Sequence, residues 1–155
     1  MLNPDGVVIG NTRTGVIGKD LNREYPTMNK DLYPEICNIK SLAEAIQKKF
    51  ELHMFLDFHG HSQKKNTFVY GPSYTLGQPQ YLKSKILPKL ISLQTEMFRY
   101  YSCVFRISEN KRSTGRAVMF EEVGIPYTYT VESSNGFYYD PNTLTTNQFT
   151  RLKWS

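Results

Sequence analysis

Hydrophobic and polar positions in this chain alternate in short runs that mark strands, and in two places recur at wider spacing that marks helices. The residues from Met54 to Phe58 are apolar apart from Asp57, and the run ends in His59-Gly60-His61 and polar residues through Asn66. A run of that length between glycine and polar boundaries predicts a buried strand, with His59 at the edge where it opens into a loop. Upstream, Leu42, Ala45, Ile46 and Lys49 recur at helical spacing and predict a helix over 39–50, with Ser41 as its N-cap and Glu44 completing a capping box. Leu82, Ile86, Leu90, Leu93 and Met97 predict a second helix over 80–100, broken near Pro88. Residues 67–70 and 103–107 read as strands, 117–120 as a helical turn after Ser113-Thr114, and 127–132 alternates as a strand does. At the start, Asn3-Pro4-Asp5-Gly6 is a turn sequence, 7–9 an extended piece and 10–18 a loop. No pattern is assignable after Asn135, and neither an internal repeat nor a domain linker is visible. Alternating helices and strands imply an α/β layer fold.

Composition narrows the setting. A chain of 155 residues is about one domain long. It has no apolar run near the roughly 18 residues of a membrane span. The first residues, Met-Leu-Asn-Pro-Asp-Gly, lack the basic and apolar regions of a signal peptide. Two cysteines, Cys37 and Cys103, are too few for a disulfide framework and fit a reducing compartment, so the protein reads as cytosolic. The net charge is +5, from 19 basic and 14 acidic residues. That charge fits nucleic acid, an acidic protein partner or nothing specific; the basic residues are scattered, without a continuous stripe interleaved with aromatics, so acidic partners fit at least as well as nucleic acid.

Several ionisable side chains stand where chemistry is done. His59 follows a strand, at the end where open α/β sheets bind ligands; it is either a hydrogen-bonded structural imidazole or a metal ligand. Asn22-Arg23 sits in an irregular loop, where a guanidinium fork and an amide donor suit an anion such as a carboxylate; Arg13 lies in the preceding loop. Both arginines could equally be solvated charges. Glu132 ends a strand before the small-residue turn Ser133–Gly136, as a solvent-facing charge or as a general base held by the sheet and open to water.

Five stretches in one order resemble a known family: Met-Leu-Asn-Pro-Asp-Gly-Val, Gly-x-Asp-Leu-Asn-Arg, Asp-x-His-Gly-His-Ser-x-Lys-Lys-Asn, Ser-Thr-Gly-Arg and Tyr-Thr-x-Glu. Together they resemble the zinc carboxypeptidases, and among these the cytosolic carboxypeptidases that shorten glutamate tails on tubulin. The resemblance implies a partial zinc-carboxypeptidase fold, a mixed central sheet flanked by helices. Residues 1–136 would form the C-terminal part of the catalytic domain, with 137–155 an unassigned tail. It implies that His59 is a Zn2+ ligand and His61 a neighbour that does not bind metal. Glu132 would be the catalytic carboxylate, taking a proton from the zinc-bound water and passing it to the leaving amine. Asn22 and Arg23 would grip the substrate's terminal carboxylate, Arg13 would polarise the scissile carbonyl, and Arg116 would line the pocket for an acidic side chain. The implied partners are acidic C-terminal protein tails, tubulin among them, with no nucleic acid and no membrane. The implied location is cytoplasmic, and through tubulin cytoskeletal or ciliary.

The sequence also departs from the family. The first two zinc ligands come from a His-x-x-Glu motif, and none of His53, His59 and His61 is followed by Glu at that spacing. The expectation is a fragment that starts inside the catalytic domain, binds zinc poorly with one protein ligand, and hydrolyses nothing alone. Two rivals stand beside it: a non-catalytic domain that binds acidic tails through Arg13, Arg23 and Arg116, and a basic nucleic-acid module.

Overall fold

Proline decides where the helices of this protein begin. In the computed structural model, which describes residues 1–148, three of the four α-helices among the described residues start on Pro: α1 at Pro4–Ile9, α2 at Pro34–Gln47 and α3 at Pro79–Gln94. Proline suits a first helical turn because its ring presets φ and its missing N–H is not needed there. The amino-terminal segment is therefore α1, not a turn followed by an extended piece. Asn3 caps it, Oδ1 accepting from the Gly6 N–H at 3.0 Å, and Gly10 ends it at φ +82°, a left-handed conformation natural to glycine. For the same reason α2 starts before the expected Ser41 cap; Ser41 and Glu44 lie within the helix, and Tyr33 holds the cap position.

Helix α3 runs through Pro88 without the expected break and stops at Gln94. Proline leaves the Ser84 carbonyl without its intrahelical donor. The Tyr129 hydroxyl takes that place, donating to Ser84 O at 2.7 Å from a residue that is almost wholly buried. The predicted apolar side of α3 is the exposed one: Leu82, Ile86, Leu90 and Leu93 are all more than half exposed, while Ser84 and Pro88 are buried.

The strands are β1 (Met54–His61), β2 (Thr67–Tyr70), β3 (Tyr127–Ser134), β4 (Phe137–Asp140) and β5 (Thr145–Gln148). Three form a mixed sheet in the order β1-β3-β2, and β4 and β5 form an antiparallel hairpin. β2 and β3 are antiparallel, with Phe68 opposite Glu132 and Tyr70 opposite Thr130. The predicted strand at 103–107 is reduced to single backbone bridges, Val104 N–H donating to Val69 O and Gly71 N–H to Val104 O. The unassigned tail contains the β4–β5 hairpin, while residues 149–155 lie outside the described residues. Asn66 pins that hairpin: buried and at φ +68°, it donates from Nδ2 to Tyr139 O at 2.7 Å and accepts at Oδ1 from Tyr139 N–H at 2.6 Å.

The described residues form two compact units. The first comprises 1–55 and 107–128, the second 56–106 with the chain from 129 onward. In the first, α2, α4 (Gly115–Glu121) and the 3-10 turn Leu21–Arg23 enclose a core of Leu21, Tyr25, Tyr33, Ile36, Ala43, Val118, Met119 and Ile125. A buried lysine, Lys40, is neutralised in the same unit by Glu122 at 2.5 Å. His53 packs edge-on against Tyr127 with ring centroids 4.9 Å apart. The second unit contains the sheet's inner portion, α3 and the hairpin.

Candidate active site

Asp20 organises the charged loop of the first unit. Its Oδ1 accepts from the Asn22 N–H at 3.0 Å, an Asx-type cap that starts the 3-10 turn Leu21–Arg23. Its Oδ2 accepts from Arg13 Nε at 2.7 Å and lies 3.9 Å from Arg23 Nη1, which itself donates to Asn22 O at 2.8 Å. Asp20 lies in the Gly-x-Asp-Leu-Asn-Arg stretch but has no role from the sequence; an acid two residues before Asn-Arg is the local signal that marks it. Arg13 remains 66% exposed, so this pair carries little net energy and its guanidinium can exchange partners.

Asn22 is tied to the start of α4: its Oδ1 accepts from the Gly115 N–H at 2.8 Å. Its amide NH2 is thus the end turned to other acceptors. Gly115 is fixed by packing, since a Cβ there would lie 2.6 Å from Tyr25 Cζ. Arg116, the next residue, is only 4% exposed. Four of the six predicted site residues, Arg13, Asn22, Arg23 and Arg116, thus belong to one unit, with Asn22 as the link from the loop to α4.

His59 and Glu132 belong to the second unit. β1 continues to His61, so His59 stands inside the strand, not where it opens into a loop. The strand is not buried as predicted: Leu56 and Phe58 are exposed, while Phe55, Asp57, His59 and His61 alternate on the more protected face. His59 Nε2 lies 2.7 Å from Asp57 Oδ2. His61 is used differently, its Nδ1 accepting from the Gln63 and Lys64 N–H groups at 3.1 and 2.9 Å. That engagement holds the turn after β1.

Glu132 sits two residues before the end of β3, half-buried beside β1 in the strand order. His61 O accepts from Asn135 N–H at 3.2 Å, which brings the carboxyl ends of β1 and β3 together. An open concavity of about 290 Å³ lies there, lined among others by His61, Lys64, Lys65 and Asn135. In the same unit, burial pushes the Cys103 thiol above its ordinary pKa, opposed by the Val69 N–H and by Lys64.

Among the described residues no three His, Cys, Asp or Glu side chains are grouped to hold a metal. The His59 imidazole backed by the Asp57 carboxylate is compatible with one metal-ligand position, and a catalytic zinc needs three protein ligands. No helix among them is long and apolar enough to cross a membrane.

No family model matches the sequence. The chain is 39% identical over 137 residues to cytosolic carboxypeptidase 2 of Danio rerio, covering 88% of the chain and 19% of the relative. It is 37% identical over 137 residues to human cytosolic carboxypeptidase 2, covering 88% of the chain and 15% of the relative. Among solved structures, a metallo-carboxypeptidase from Burkholderia cenocepacia matches with a TM-score of 0.69 and 25% identity, over 86% of this chain and 34% of that one. The chain thus spans less than a fifth of the length of these curated relatives. The likeness bears out the α/β carboxypeptidase fold and the family resemblance carried by the motifs.

Proposed function

The chain is, over this segment, a member of the cytosolic carboxypeptidase family, and from that premise we propose that it serves the removal of acidic residues from protein C-termini. Glutamate tails such as those of tubulin are the substrate class, the cytoplasm is the location, and the cytoskeleton or cilium follows where tubulin is the target. The observation that carries the reading is an alignment of 88% of the chain at 39% identity.

The side chains divide the work. Arg23 offers a two-pronged fork to the substrate's terminal carboxylate, and Asn22 adds its NH2 while its carbonyl is held by Gly115. Arg13, in a loosely held pair with Asp20, turns to the scissile carbonyl and stabilises the oxyanion, a contribution of about 10²–10³ in rate for such donors. Glu132 accepts a proton from the attacking water and returns it to the leaving amine. A glutamate side chain adds an anionic partner to the buried Arg116 charge, which a neutral side chain does not. His59 is the ligand this chain offers to Zn2+, whose part, when bound, is to polarise the carbonyl and acidify water.

One observation favours a second reading: with no three-group metal cluster among the described residues, the domain would bind acidic tails without cutting them. Peptides ending in glutamate, incubated with the protein and Zn2+ and followed by both mass spectrometry and binding, separate the two. The peptidase reading expects no turnover from this segment alone, and release of C-terminal glutamate by a protein that carries the segment together with a complete set of zinc ligands, falling by about 10²–10⁴ in Glu132→Gln with binding retained. Binding with no turnover in that complete protein supports the second reading, and absence of both there overturns the two together.

A further inference from the structure

We propose that Asp57 is a positioning residue that orients the His59 imidazole and fixes which of its nitrogens is offered to a metal; this rests on the reading of His59 as a ligand. An acid in the apolar run Met54–Phe58 is out of pattern, and strand alternation puts it on the same face as the histidine two residues on. Asp57 Oδ2 lies 2.7 Å from His59 Nε2, with the carboxylate 13% and the imidazole 30% exposed. An ionised carboxylate only accepts, so a nitrogen that close must carry a proton. The neutral ring is then the Nε2–H tautomer, and its lone pair is on Nδ1. A carboxylate behind a ligating imidazole fixes the ring and makes it a better donor, and loss of such a partner typically weakens metal binding about 10–100-fold. The neighbouring His61 lacks this arrangement, because its own Nδ1 accepts two backbone N–H groups.

The chain's three histidines make imidazole 15N NMR tractable. The metal-free chain is recorded about two pH units above the ordinary imidazole value, so that neutral rings report their tautomer, and Zn2+ is then titrated in. The expected result is an Nε2–H tautomer at His59 that is lost in Asp57→Ala and kept in Asp57→Asn, which retains an acceptor oxygen. The Zn2+ concentration that half-shifts the His59 signal is expected to rise about 10-fold or more in Asp57→Ala. A tautomer and a Zn2+ response both unchanged in folded Asp57→Ala overturn the proposal. Should that variant fail to fold, Asp57→Leu, which has no acceptor and nearly the same volume, decides: loss of the Nε2–H tautomer supports the assignment and its retention overturns it. Zn2+ binding read with a competing chromogenic chelator that is lost in His59→Ala but indifferent to Asp57 removes Asp57's role and leaves the metal reading standing. A wild-type His59 that ignores Zn2+ removes both.

Discussion

Tyr129→Phe isolates one hydrogen bond that allows a proline inside a helix. Pro88 has no N–H for Ser84 O, and the Tyr129 hydroxyl supplies the missing donor at 2.7 Å. Ser84 and Tyr129 are each 1% exposed, so water has no access to replace it. Removing the hydroxyl keeps the ring and its packing but strands a buried carbonyl, at a cost of about 1–3 kcal/mol. With a urea m-value of about 2 kcal/mol per M, the unfolding midpoint should fall by about 0.5–1.5 M at unchanged m. The stronger test is a cycle with Pro88→Ala. Alanine restores an N–H within reach of Ser84 O, so Tyr129→Phe should cost far less in that background, giving a coupling of about 1 kcal/mol or more. Additivity within about 0.5 kcal/mol would refute the account, because it would mean that the two residues do not serve the same carbonyl.

Three other outcomes follow from the same geometry. Gly115→Ala should lose about 1–3 kcal/mol in thermal or urea melts, since its Cβ would meet the buried Tyr25 ring at 2.6 Å; a wild-type melt would show that the ring moves aside freely. The raised pKa of Cys103 is mainly a burial effect. Its protonated form therefore contributes stability that is present below the ordinary thiol value and is lost as pH rises through the folded-state value; Cys103→Ala should remove that part of the alkaline decline in urea midpoint, and an identical pH profile would discard the assignment. Arg116→Ala, or Arg116→Gln if alanine unfolds the helix, should narrow the preference for C-terminal glutamate over neutral residues in peptide binding or cleavage, and an unchanged ratio in a folded variant would reject Arg116 as the pocket's anion partner.

The pattern of apolar residues made β1, β2 and β3 legible, and the ordered motifs made the family legible, because both signals are local. What escaped was set by contacts distant along the chain. Nothing near Pro88 announces that Tyr129 will stand in for the absent donor, so the proline reads as a break. Nothing in 137–148 announces a hairpin, because Asn66 holds it from outside the segment. Asn3-Pro4 serves equally to open a turn or to cap a helix, and only Gly10, closing α1 at φ +82°, decides between them.

The candidate site divides along the same line. Residue type and motif order were enough to single out Arg13, Asn22, Arg23, His59, Arg116 and Glu132, whereas the groups that hold four of them needed coordinates. Asp20 bridges two arginines and starts the turn that carries Asn22, and the Gly115 N–H takes the Asn22 carbonyl. Asp57 stood out in the sequence as a lone acid in an apolar run, yet its meaning depends on a strand that runs on to His61. Had β1 ended at Phe58, as the sequence suggested, alternation would no longer constrain His59, and the carboxylate would have no reason to lie 2.7 Å from Nε2. The three added residues of strand are thus what turns an out-of-place acid and a nearby histidine into a pair, and a pair is what the tautomer of His59 will report.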